Sequence, residues 1–214
     1  MMNRLEVLRI EKLHVRGLFS IITSPIESFD VMRHQGQGSL GLATLMYFLF
    51  FASVVATRQW TGYIFNFSRV DQLNIFIMMA LSLGLVALFI MANMAVCTLS
   101  DGEGSLSDVY VTTAYATLPI ILLTPLIIIL SNVLSQGESM YYALMNFVMY
   151  GWTGVLLFTG NMSAHQFGFK KTVFTTFLTI AGILIILFMM FLAFVLVSEL
   201  YEFVRTLYNE IIFM

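Results

Sequence analysis

The chain has 214 residues, of which 59% are hydrophobic and only 10% charged, with a formal net charge of -2. Soluble domains carry about 25% charged residues, so this composition excludes an ordinary soluble or nucleic-acid-binding domain and predicts a polytopic membrane protein. The single cysteine, Cys97, excludes an intrachain disulfide and reads as an inert apolar residue within an apolar run.

Residues 1–23 read as a basic amphipathic helix. Leu5, Leu8, Val15, Leu18, Phe19 and Ile22 share one face, and Arg4, Arg9, Lys12 and Arg16 lie off it. Such a helix suits either an anionic membrane surface or the protein's own cytoplasmic face. The start is too polar for a cleavable signal peptide, so the first span is expected to act as its own insertion signal. Ser24-Pro25-Ile26-Glu27 is a helix-start signature that opens a short helix to about His34, with Ile26, Phe29 and Met32 apolar.

Five spans follow. The first is predicted over Ser39–Thr57, after Gly36-Gln-Gly-Ser-Leu40. A loop with Trp60, Tyr63, Phe65 and Phe67 then suits a membrane interface. The second span, Leu73–Leu99, holds Asn93 in its interior and an Ala80/Gly84 small-residue pair that would admit a neighbouring helix.

The third span, Ser107–Val133, follows an acidic loop and is expected to be the central helix. Ser105 is its N-cap and Asp108 completes the box. Pro119 cannot donate to Tyr115, so a kink is expected there. The fourth span, Met140–Gly160, leads into a loop over residues 161–171 in which His165 reads as a loop histidine near Lys170 and Lys171. The fifth, Val173–Ser198, carries no charge and is about 39 Å long, against a hydrocarbon core of ~30 Å. Its helix is expected to continue past the bilayer.

With the N-terminus inside, seven basic residues (Arg4, Arg9, Lys12, Arg16, Arg33, Lys170, Lys171) face the cytoplasm and three (Arg58, Arg69, Arg205) face outward. That asymmetry predicts N-in, C-out. Apart from Asp108 in the first turn of the third, no span contains Asp, Glu, Lys, Arg or His, and no nucleotide, metalloprotease or nucleophile-elbow motif occurs. Asp101, Glu103 and Asp108 fit capping and a solvated loop better than a cation site. No cofactor, metal or catalytic residue is assigned.

Several short motifs nevertheless have a common resemblance. Pro25 with Phe29, Gly104-Ser105 with Asp108, Tyr115-Ala-Thr-Leu-Pro119, and His165 through Lys170 and Lys171 together resemble the YIP (Ypt-interacting protein) family of membrane proteins in its bacterial branch. The resemblance implies five membrane helices and a cytoplasmic N-terminus, and it brings no catalytic residues. Eukaryotic members act as adaptors in vesicle traffic and contact small GTPases, but their Asp-Leu-x-Gly-Pro signature is absent here. Bacterial relatives look like accessory proteins, some linked with ABC transport systems.

The resulting reading is an all-α protein with a cytoplasmic amphipathic segment (1–35), a five-span membrane domain (36–200) and an external helix extension (201–214). It sits in the lipid bilayer of the bacterial cytoplasmic membrane and works on other membrane proteins, an ABC transporter among them, rather than as an enzyme. Two alternatives are a small-solute-binding transport component and a lipid-binding or membrane-shaping protein. The first draws on Ala52-Ser-Val-Val-Ala56, which resembles a small-residue contact of vitamin-importer subunits but is explained as well by ordinary helix packing.

Overall fold

The computed structural model describes residues 20–34, 39–66 and 74–212. Residues 1–19 of the basic helix expected over 1–23, together with Phe67, Arg69 and most of the Gly36–Leu40 turn, lie outside the described residues. The rest is helical: α1 (Pro25–His34), α2 (Leu40–Trp60), α3 (Ile75–Leu99), α4 (Leu106–Ala116), α5 (Leu118–Val133), α6 (Ser139–His165) and α7 (Phe169–Ile212). Among the described residues, five helical stretches, α4 and α5 counting as one, are long and apolar enough to cross a membrane. In lipid such helices satisfy their own backbone groups, which is what lets apolar runs of this length span it.

The third span is the centre of the bundle, packed by α6, α2 and α3 around α4. Every residue from Val111 to Pro119 is buried. Ser105 and Asp108 close a capping box at the start of α4, as their spacing predicts. The expected kink is a full break, two residues before Pro119. The helix stops at Ala116 and restarts at Leu118, with Thr117 between them at φ -77° and ψ -4°. Pro119 therefore sits in the first turn of α5, where a missing amide costs nothing. The Thr117 hydroxyl donates to the Ala114 carbonyl at 2.7 Å and so helps close the end of α4.

α2 is locked to α4 by the Tyr47 hydroxyl, which donates to the Tyr110 carbonyl at 2.8 Å, and by the edge-on contact of the two rings. At the far end of the bundle the chain after α2 closes onto the end of α5. The Gly62 amide donates to the Ser131 hydroxyl at 2.9 Å, and the Asn132 amide donates to the Trp60 carbonyl at 3.0 Å.

Three expectations need correction. The segment 161–171 is not one long loop, because α6 runs to His165 and α7 begins at Phe169. The Ser24 hydroxyl turns back to the Ser20 carbonyl at 3.3 Å, because a helical turn precedes α1 and offers an acceptor there. The Ala80/Gly84 pair admits no neighbour, since nothing lies within 4 Å of where a Cβ on Gly84 would be. A small residue that does admit a close helix is Gly182 of α7, set against Ala92 and Val96 of α3.

A Cβ at Gly62 would overlap the Ser131 carbonyl. Gly62→Ala is accordingly expected to part α2 from α5 and to cost about 1–3 kcal/mol. Thermal unfolding in detergent measures this; an unchanged midpoint would show that the closure contributes nothing.

Candidate functional site

The family-like residues converge on one end of the bundle, where α1, the α3–α4 loop, the end of α6 and the start of α7 meet. α1 lies across the end of α6. Phe29 is fully buried against Gly160, where an added Cβ would come within 3.4 Å of its ring. The Ser163 hydroxyl donates to Asp30 at 2.6 Å, and Arg33 donates to the Ser163 carbonyl at 2.9 Å. That places a guanidinium on the exposed carbonyls of a helix C-terminus, where positive charge is favoured. Arg33 also reaches Glu103 at 3.5 Å, although Glu103 is 72% exposed, so this pair adds little stability.

Beneath α1 lies His165, the last residue of α6 and only 1% exposed. The sequence reading made it a loop histidine; it is instead part of the core. Its Nε2 lies 3.0 Å from the Asn93 side-chain oxygen of α3. An amide oxygen can only accept, so Nε2 donates and Nδ1 is left as an acceptor. That Nδ1 edge faces the α3–α4 loop. A Cβ on Gly102 would approach it to 2.8 Å, and one on Gly104 to 2.7 Å. Neither glycine is needed for its conformational freedom; both are needed for close approach. Positive φ values occur instead at Asp101, just before Gly102, and at Gln166, just after His165, both 54°.

The junction continues outward through aromatic contacts. Phe167 stacks on the His165 ring at 5.5 Å, and the Lys171 ammonium lies 4.3 Å from the Phe167 ring centroid. Inward, Cys97 points weakly at the oxygens of Asn93 and Asn161, at 3.8 and 3.9 Å. Asn93 Nδ2 and His165 Nδ1 are buried without a hydrogen-bond partner.

Of the residues singled out in the sequence, Phe29, Gly104, His165 and Lys171 belong to this junction, with Pro25 at the start of α1 and Ser105 and Asp108 at the start of α4. Lys170 is exposed beside them. Tyr115 and Pro119 are buried in the bundle centre and do not reach it. Asp30, Ser163, Gly160 and Asn161 were missed. Among the described residues, no group of three or more His, Cys, Asp or Glu side chains is placed to hold a metal ion.

The face above the junction is mixed in character. On the elements that meet there, Ile26, Leu99, Leu106 and Phe169 are exposed by half or more, and Glu27, Asp101, Glu103, Lys170 and Lys171 are exposed as well. Nothing in this arrangement activates a nucleophile or positions an acid and a base. It can hold a fixed, chemically varied surface at the membrane boundary.

Removing one partner of the buried pair, as in His165→Ala, strands the Asn93 oxygen and is expected to cost about 1–3 kcal/mol. The double replacement Asn93→Leu with His165→Leu should cost less than the two single leucine replacements added together. Additive losses in detergent unfolding would show that the two side chains are not coupled.

Comparison with known proteins agrees with the grouping of these motifs. The Yip1 domain family model matches residues 19–195, a stretch that takes in α1, the whole junction, the first four spans and the fifth as far as residue 195. No curated protein and no solved structure matches the chain. The family match covers well over half of the sequence, and the chain belongs to the Yip1 domain family.

Proposed function

We propose that the protein is a non-enzymatic adaptor of the bacterial cytoplasmic membrane that docks other membrane proteins on its α1 face, as an accessory subunit of an ABC transport system. The observation that carries this reading is the α1 face itself. On α1 the exposed apolar Ile26 and Val31 stand beside the exposed Glu27, and the helix is held to α6 by the hydrogen bonds of Arg33 and Asp30 with Ser163. Large apolar side chains kept outside the bundle, at the water boundary and on rigid supports, suit a protein contact. In this proposal α1 is cytoplasmic and the end of α7 is external, the orientation that the distribution of basic residues favours.

Affinity purification in mild detergent followed by mass spectrometry tests the partner. An ABC ATPase or permease is expected to co-purify, and to be lost when Ile26 and Leu106 are both replaced by Ser. Recovery unaffected by those replacements would move the contact elsewhere; recovery of no transport component would overturn the assignment. Reporter fusions at both termini test the orientation, and the same side for both would overturn it.

A second reading, a small-solute-binding component, has its own observation. A cleft of about 450 Å³ opens among α2, α3, α5 and α6, lined by Ser53, Thr57, Arg58, Ser82, Thr124 and Tyr150 with apolar neighbours. Its volume is in the range of ligand pockets. A small molecule retained through purification and identified by mass spectrometry would favour this reading. By contrast, Ala52 and Ala56 line a separate and almost wholly apolar groove beside Pro125, which suits acyl chains.

A further inference from the structure

α7 is a single uninterrupted helix of 44 residues, Phe169–Ile212, and only its first part is docked. Thr172, Thr175 and Thr179 are fully buried, and Gly182 touches α3. Beyond Thr179 no side chain of α7 is buried. At 1.5 Å per residue the helix is about 66 Å long. Tilting does not hide this length, because even at about 40°, the steep end of the observed range, it still projects on the order of 50 Å along the membrane normal. A hydrocarbon core of ~30 Å leaves the last turns outside the bilayer.

Those last turns carry a heptad pattern. Val197, Val204 and Ile211 recur every seven residues, and Leu200 and Leu207 fall three residues after the two valines. Assigned as a and d positions, these are β-branched residues at a and leucine at d, the combination that favours parallel two-stranded coiled coils. Glu199, Glu202 and Arg205 fall at c, f and b, on the outer face. Phe203 falls at g and Tyr208 at e, the two positions that meet across a parallel pair. The five seam residues are 41–74% exposed, and Phe203 and Tyr208 are 61% and 64% exposed.

We propose that the extension from Val197 to Ile211 forms a parallel two-stranded coiled coil with the same segment of a second copy. Two copies inserted in one membrane in the same sense must send this segment out on the same side and in the same direction. The pattern specifies that parallel arrangement. A lipid surface does not fit, because an unbroken helix leaving the bilayer cannot turn back to lie on it. The apolar area available suits a second copy as well. The seven side chains offer roughly 500 Å² per helix, and the seam continues at Met190 and Ala193 toward the ~800 Å² per partner of a standard interface. The inference does not depend on the docking role of the α1 face.

The test uses the full-length protein in lipid nanodiscs, in a Cys97→Ala background. Single cysteines are placed at the seam (Leu207→Cys) and on the outer face (Glu202→Cys) and treated with a short thiol-to-thiol cross-linker. Dimer-mass product is expected from Leu207→Cys and little from Glu202→Cys. The mass of the wild-type protein by light scattering in mild detergent is expected to be that of a dimer, falling to a monomer in Leu207→Asp without a change in the unfolding temperature of the bundle. A monomeric wild type, equal cross-linking at both positions, or cross-linking of Leu207→Cys only to a different protein would each overturn the proposal.

Discussion

The contact on which the α1 end depends is the hydrogen bond between His165 and Asn93, at 3.0 Å and shut away from solvent. It ties the end of α6 to α3, and the two glycines of the α3–α4 loop close over the imidazole. An Asn within an apolar helix and a His at the end of another would each be costly alone. Paired, they fix the relative height of the two helices, because a polar group buried in low dielectric has few acceptable positions. Once α6 is placed, Ser163 is in position to receive Asp30 and Arg33, and α1 has a seat.

The central helix is held by a different principle. α4 is buried on nearly all sides, so its neighbours approach from every direction and, Tyr115 apart, its central side chains are small or β-branched: Val111, Thr112, Thr113, Ala114 and Ala116. Without a hydrophobic driving force between helices in lipid, such residues gain their stability from close backbone approach. The Thr112 hydroxyl is satisfied within the helix, donating to the Asp108 carbonyl at 2.8 Å. The break at Thr117 then lets α5 set off in a new direction, toward α2 and α6.

α7 combines both habits. Its docked part presents threonines whose hydroxyls bond to their own helix, so they act as small surfaces toward α3. Past Gly182 the residues become large, and the helix parts from the bundle. The same chain thus packs by smallness at one end and offers bulk at the other, which is why its second half is free of neighbours in the monomer.

The sequence alone determined the class of protein, the five spans and their approximate limits, and the capping box of Ser105 and Asp108, because hydropathy, helix length and cap chemistry are local properties. It also marked Gly104, His165 and Lys171 as belonging together, though by family resemblance and not by any visible reason. Tertiary structure decided that reason. Asn93 and His165 are 72 residues apart, and Asp30 and Ser163 are 133 apart, separations at which no periodicity carries a signal. It also decided which small residues admit a neighbour, choosing Gly182 over Gly84, since two glycines in apolar helices look alike until another helix is set against one of them. The same holds for His165, whose burial depends on a loop from elsewhere in the chain folding over it.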